Sequence, residues 1–283
     1  MNFEATKTRF VPMRMLAEAC ELAQQAGREI MRFYRNGGTV AWKEDASPLT
    51  DADRASHDFL LKALGKLTPD VPVVSEESES SLNRTAGVSR SYWLVDPLDG
   101  TKEFVKGTDE FTVNIALMKD DSPVWGVVHA PALQLTYYGG QGLGAWRHLA
   151  DKRPAAISVR RANPSRLGVV ASKDHAGPMV KAMLSRLNKP RLQSMGSSLK
   201  FCLVAEGKAD LYLRDLPTME WDTAAAQCVV EGAGGAVYSL DGAPLRYGKP
   251  GLKNPAILTM GDTALDWRSL IDVEDRKSGN AEN

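Results

Sequence analysis

The chain is short of several things that would otherwise steer its reading. Only 3 cysteines stand in 283 residues, at Cys20, Cys202 and Cys228. Their number is odd, their spacing fits neither a zinc site nor a redox pair, and each falls in an apolar helical pattern. They read as buried free thiols of a reducing compartment. Net charge is also missing: 35 Lys and Arg balance 35 Asp and Glu, which removes any general attraction to nucleic-acid polymers or membrane surfaces. No apolar run approaches a membrane span, and no apolar leader is expected at the N-terminus. No glycine–lysine P-loop occurs, which excludes that kind of kinase or ATPase. No repeat or low-complexity segment is visible. What remains, at 43% hydrophobic and 25% charged, is the composition of an ordinary globular protein of two domains or one composite one.

Apolar residues at Leu16, Cys20, Ala23, Gly27, Ile30 and Tyr34 predict a helix over 13–35, ended by Asn36-Gly37-Gly38. A loop at 43–48 and a second helix from about Asp53 to Thr68-Pro69 follow. Strands are predicted at 71–75, 92–96, 112–119, 124–130 and 135–139, with a hairpin at Asp120–Pro123 and a turn at Gly139–Gly142. The rhythm then changes to strand 168–172, helix 178–187, strand 191–195, helix 199–206, strand 211–214, helix 223–231 and strand 236–240. This alternation predicts a partly parallel α/β layer. The boundary is placed in the polar stretch near 150–156. Residues 1–150 then form an α+β half and 151–275 an α/β half, with a polar tail at 276–283.

The most informative run is Trp93-Leu94-Val95-Asp96-Pro97-Leu98-Asp99-Gly100-Thr101-Lys102. An apolar strand is expected to end at the Asp96 carboxylate, where Pro97 blocks further pairing. Two carboxylates, the Leu98 carbonyl and the Thr101 hydroxyl then fall within one turn. This all-oxygen nest suits a hard divalent cation such as Mg²⁺. Three further acidic clusters are candidates to join it: Asp51 with Asp53, Glu76-Glu77 after a strand, and Asp222 before the small-residue helix Ala224-Ala225-Ala226. Singly, Asp53 and Asp222 equally suit helix caps, and Glu77 a solvated loop. Glu76 and Asp96 share a position at strand carboxyl ends, where open sheets bind ligands.

In order along the chain, Ser75-Glu76-Glu77-Ser78, Trp93 to Thr101, and Trp221-Asp222-Thr223-Ala224-Ala225 resemble the lithium-sensitive, Mg²⁺-dependent phosphatase superfamily. That superfamily contains inositol monophosphatases, fructose-1,6-bisphosphatases and 3′(2′),5′-bisphosphate nucleotidases. The resemblance runs from about Ala17 to Ile271. Lys102-Glu103-Phe104, the segments 196–207 and 217–222, and Leu252-Lys253-Asn254-Pro255 look like the bisphosphate nucleotidase branch of CysQ type. Inositol monophosphatases usually carry a glutamate near the position of Arg214, and an arginine suits a second anionic group better than a polyol. Asp215 next door leaves the register of that comparison open.

The resemblance implies a layered α-β-α-β-α sandwich, mixed α+β and α/β, of the sugar-phosphatase type. It implies two or three Mg²⁺ ions held by Glu76, Asp96, Asp99, Asp222 and the Leu98 carbonyl, with Glu76 also counted in catalysis. Asp53 and Thr101 together are expected to ionise the attacking water. Gly100, Thr101 and Lys102 are expected at the scissile phosphate, suited by N–H groups at a helix start. Gly196, Ser197, Ser198, Lys200, Arg214 and Asp222 are expected at the nucleotide or its remaining phosphate. Ser172, Lys173 and His175 form a further substrate set, with a surface role the plainer reading of His175. The implied reaction is hydrolysis of the 3′-phosphate of adenosine 3′,5′-bisphosphate, or of its sulfated form, by a cytoplasmic monomer or homodimer. Association with the inner-membrane surface, seen in some relatives, stays open. Inositol or sugar phosphates are the alternative substrates. A non-catalytic phospho-ligand sensor is the third reading, and it would be expected to have lost carboxylates that this chain keeps.

Overall fold

The computed structural model describes residues 3–34, 40–42, 48–78, 90–171 and 177–270. Helix α1 (Phe3–Tyr34) starts ten residues before the predicted 13 and buries Leu16, Ala19, Ala23, Ala26 and Ile30, one helical stripe. A short antiparallel ladder, β1 (Val40–Trp42) with β2 (Pro48–Thr50), leads into α2 (Asp51–Leu67). Thr50 caps α2 and Asp53 completes the capping box.

The first sheet has seven strands in chain order: β3 (Val73–Ser75), β4 (Ser91–Asp99), β5 (Thr112–Lys119), β6 (Ser122–Ala130), β7 (Leu135–Gly140), β8 (Gly144–Leu149) and β9 (Ala155–Ile157). Only β3 and β4 are parallel. The short α3 (Thr101–Lys106) leaves the end of β4. The second sheet draws on β10 (Gly168–Ala171), β11 (Arg191–Ser194), β12 (Leu211–Arg214), β13 (Ala236–Ser239) and β14 (Ile257–Met260) in the order β11-β10-β12-β14-β13. Its first three strands are parallel, and β14 runs antiparallel to both neighbours. Helices α4 (Pro178–Arg186), α5 (Leu199–Ala205) and α6 (Ala224–Gly232) belong to this half.

Three apolar clusters stack these elements into the expected five layers. Helices α1 and α2 cover the outer face of the first sheet through Trp93, Val95, Ile115 and Trp125, the two indoles meeting edge to face at 5.1 Å. Helices α5 and α6 fill the space between the sheets. Helix α4 covers the far face of the second sheet with Val180 and Met183. No described helix is long and apolar enough to cross a membrane.

Two expectations need correction. Strand β4 does not end at Asp96. A bulge takes Pro97 and Leu98 off the ladder, and Asp99 pairs again with Thr112, so the proline interrupts the strand without ending it. The pattern reading also missed β1, β2, β8, β9 and β14. All are short except β8, whose residues Gly144–Leu149 lack clear alternation. The expected loop at 43–48 lies outside the described residues apart from Pro48, and so does the tail from 271 onward.

The middle layer depends on close approach. A Cβ built at Gly126 of β6 meets the Ala225 Cα and carbonyl oxygen at 2.6 Å, so only glycine lets α6 sit this close to the sheet. Gly126→Ala is expected to lower stability by about 1–3 kcal/mol, read as a lower urea midpoint. Gly65→Ala, on α2 with nothing within 4 Å of the new methyl, is expected to raise it by about 0.5–1 kcal/mol.

Candidate active site

The register of β3 against β4 builds the first half of the site. Ser75 pairs with Val95, and the Glu76 N–H donates to the Val95 carbonyl at 3.1 Å. Glu76 and Asp96 therefore leave adjacent parallel strands side by side. Alternation along β4 sends Trp93 and Val95 to the outer helices and Tyr92 and Leu94 to the middle layer. Asp96 continues the second set. A 3-10 turn at Glu220–Asp222, just before α6, delivers Asp222 from that layer. Glu76, Asp96 and Asp222 each offer a carboxylate oxygen, and the three atoms lie within 4.8 Å of one another.

In three of the acids one oxygen is tied to the scaffold. Asp96 Oδ1 accepts the Leu98 N–H at 3.0 Å, and Asp222 Oδ2 accepts the Met219 N–H at 2.8 Å. Asp99 Oδ2 accepts the Ser198 N–H and hydroxyl, both at 2.7 Å, and the Asn114 amide at 3.4 Å. The second oxygen of each has no hydrogen bond among the described residues. Burial raises the Asp96 carboxyl well above the usual range, helped by the charges of Glu76, Asp99 and Asp222. Burial, Asp99 and Glu76 do the same to Asp222, against the Met219 N–H and Arg214. Crowded oxygen donors that repel one another, each with an oxygen to spare, fit a hard divalent cation.

Asp53 and Thr101 meet beside this cluster. Thr50 donates its N–H and hydroxyl to Asp53 Oδ2 at 2.7 and 2.5 Å. The Thr101 hydroxyl lies 3.3 Å from Asp53 Oδ1 and 3.2 Å from the Leu98 carbonyl oxygen. Asp53 is thus the third helical residue of the capping box and not the cap itself, and Asp222 is not the cap of α6 either, a position held by Thr223. Ser56 anchors the bulge from α2 by donating to the Pro97 carbonyl at 2.8 Å.

A cavity of about 360 Å³ opens beside these residues. Asp99, Gly100, Thr101, Lys102 and Asp222 line it together with Ser197, Ser198, Lys200 and Arg214. Gly100 takes the left-handed conformation, φ 89°, that turns β4 into α3. Lys200 is only 8% exposed, its ammonium 5.7 Å from the Tyr212 ring centre. Burial lowers its pKa, with Asp99 pulling the other way. Arg214 donates to the Leu216 carbonyl at 3.2 Å. Asp215 points elsewhere: its Oδ2 accepts the Met179 N–H at 2.8 Å at the start of α4. Arg214 and not Asp215 therefore lines the cavity.

Gly196 is buried and donates its N–H to Glu110 at 2.8 Å. Ser198 does not offer a free hydroxyl to the cavity, because that group is bonded to Asp99. Ser172, Lys173 and His175 lie outside the described residues. Sequence reasoning missed Tyr212 and Asn114. The period-2 pattern that puts Arg214 on the cavity side also puts Tyr212 there, and Asn114 is a buried amide in an otherwise apolar strand opposite Asp96.

The profile of the inositol monophosphatase family matches residues 12–267. The 3′(2′),5′-bisphosphate nucleotidase CysQ of Salmonella typhimurium is 46% identical over 235 residues, covering 82% of this chain and 94% of that protein. Its counterpart in Escherichia coli K12 is 47% identical over 237 residues, with 82% and 94% covered. The crystal structure of CysQ from Bacteroides thetaiotaomicron, a bacterial member of the same family, superposes with a TM-score of 0.76 at 36% identity, over 88% of this chain and 97% of that one.

The raised carboxyls fix a sign. The folded metal-free protein holds protons at Asp96 and Asp222 that the unfolded chain releases near the ordinary value of 3.8. Metal-free stability is therefore expected to fall as pH rises from there through the raised values, while Mg²⁺ affinity rises. Asp96→Asn is expected to raise the metal-free Tm at neutral pH and to remove most of the Tm gain on adding Mg²⁺. Thermal unfolding with and without Mg²⁺ across pH checks both.

Proposed function

The chain belongs to the inositol monophosphatase family, and from that premise we propose that the Asp96 cluster is its catalytic centre, hydrolysing the 3′-phosphate of adenosine 3′,5′-bisphosphate to AMP and phosphate. The observation that carries this reading is one cavity lined both by the carboxylates Asp99 and Asp222 and by the cations Lys200 and Arg214. A substrate with two phosphates matches both: one to be cleaved, one to be held. The close similarity to the two CysQ nucleotidases supports the same substrate. The sulfated form of the nucleotide fits the same reading.

Glu76, Asp96, Asp99 and Asp222, with the Leu98 carbonyl, would hold two or three Mg²⁺ ions. Bound Mg²⁺ supplies charge neutralisation of the phosphate, a lowered pKa for water and stabilisation of the leaving oxygen. The protein supplies the rest. Thr50 occupies Asp53 Oδ2, which leaves Oδ1 to the Thr101 hydroxyl. Thr101 orients the attacking water and Asp53 takes up its proton. Gly100 and Lys102 line the cavity and would meet the scissile phosphate. Lys200, Arg214 and Ser197 hold the phosphate that stays. The bound state suits a small phosphorylated nucleotide and not a nucleic-acid polymer. We infer a cytoplasmic enzyme acting as monomer or homodimer, and no observation supports attachment to a membrane surface.

Inositol phosphates share the carboxylates of this site but have no use for an arginine at 214. Phosphate release with Mg²⁺ from adenosine 3′,5′-bisphosphate is expected to exceed release from inositol 1-phosphate at equal concentration. Arg214→Ala is expected to raise KM for the nucleotide about 10-fold or more, a charged hydrogen bond lost, with kcat less affected. Thr101→Ala is expected to lower kcat by about 100-fold or more. Preference for inositol 1-phosphate would overturn the substrate assignment, and a Thr101 variant with full kcat would overturn the proton route.

A further inference from the structure

Ser198 occupies an unusual junction. Its hydroxyl is 2.7 Å from Asp99 Oδ2 and 3.0 Å from the Asp222 main-chain oxygen, and it accepts the Asn114 amide at 2.8 Å. Its own N–H adds a second bond to Asp99 Oδ2 at 2.7 Å. One residue of α5's approach loop therefore touches two metal-candidate residues that come from different layers. The residue before it, Ser197, adopts a left-handed backbone, φ 45°, lines the same cavity, and keeps a buried hydroxyl with no partner among the described residues. A left-handed serine is strained, and a buried hydroxyl without a partner is costly. A ligand oxygen at Ser197 relieves the second cost and so favours this loop conformation. The loop is otherwise fixed at Gly196, where a Cβ would meet the Glu110 carbonyl oxygen at 2.7 Å.

We propose that Ser198 is a positioning residue that couples occupation of the nucleotide end of the cavity to the affinity of the Asp99 carboxylate for Mg²⁺. The proposal rests on the nucleotidase reading only for the identity of the ligand at Ser197. An anion held by Ser197, Lys200 and Arg214 settles the 196–198 loop. The same backbone segment then holds the Ser198 N–H and hydroxyl on Asp99 Oδ2, which leaves Oδ1 without a hydrogen bond among the described residues and available to a cation. Linkage makes the effect mutual: Mg²⁺ tightens the nucleotide by the factor by which the nucleotide tightens Mg²⁺. Asn114 supports the same hydroxyl from β5.

The test is calorimetric titration of the metal-free protein with Mg²⁺, with and without saturating AMP, on wild type, Ser198→Ala, Ser198→Thr and Asn114→Ala. In wild type, AMP is expected to tighten Mg²⁺ binding about 5-fold or more. Ser198→Ala is expected to weaken Mg²⁺ alone by about 10-fold or more, the usual effect of removing a group that orients a metal ligand, and to abolish the AMP effect. Ser198→Thr, which keeps the hydroxyl, is expected to recover most of both, and Asn114→Ala to lose part of both. A metal-free thermal melt of each variant separates these effects from loss of folding. Ser198→Ala with wild-type Mg²⁺ affinity, or with the AMP effect intact, overturns the proposal, as does a wild type in which AMP leaves Mg²⁺ binding unchanged. Loss of nucleotide hydrolysis with AMP coupling retained would count against the proposed function alone.

Discussion

Asp96 is 1% exposed, with Glu76, Asp99 and Asp222 around it. Repulsion between like charges grows as water is excluded, so this cluster opposes the folding of the very layers that assemble it. Much of the surrounding structure answers that repulsion. Backbone N–H groups of Leu98 and Met219 and the two donors of Ser198 each stabilise one carboxylate oxygen. Lys200 on α5 and Arg214 on β12 add positive charge. What remains unbalanced is the binding energy the protein keeps for its cation, a local cost in stability held for function.

The site is an interface between layers more than a property of any one element. Glu76 and Asp96 come from the first sheet, while Asp222 is carried by the turn before α6, wedged between sheets. Two contacts set the height of that turn. Gly126 lets α6 lie against β6, and Asn254, from the segment before β14, donates to the Met219 carbonyl at 2.7 Å and to Thr223 at 3.0 Å. Glu220, fully buried, accepts the N–H groups of Gly248 and Lys249 and pairs with the Lys249 ammonium at 2.7 Å. Packing at these points holds the Asp222 carboxylate beside those of Glu76 and Asp96.

Much of this was legible in the residue pattern. The stripe on α1 and the apolar runs leading to Glu76 and Asp96 carry local periodicity, which sequence records directly. The Asp-Pro-Leu-Asp-Gly-Thr run named its own donors. Legibility failed where a residue's role depends on a partner remote in the chain. Ser198 reads as an anion cradle before a helix, yet its hydroxyl belongs to Asp99, 99 residues earlier. Asp215 reads as a rival to Arg214, whereas its carboxylate accepts the Met179 N–H at the start of α4. The bulge at Pro97 was read as a strand end because proline's missing donor is visible in sequence, whereas the re-pairing of Asp99 with Thr112 is not.

The wide spacing of these carboxylates along the chain bears on how the protein is made. Glu76, Asp96 and Asp99 emerge early from the ribosome, and the seven-stranded sheet that holds them is complete by Ile157. Asp222 comes much later, and β12 beside it pairs with β14, which ends only at Met260. The nascent first sheet thus carries an incomplete acidic edge through most of synthesis. The three carboxylates of Glu76, Asp96 and Asp222 come together only once the second sheet has formed, so their cluster is a late fastening between two halves already shaped and cannot template either of them.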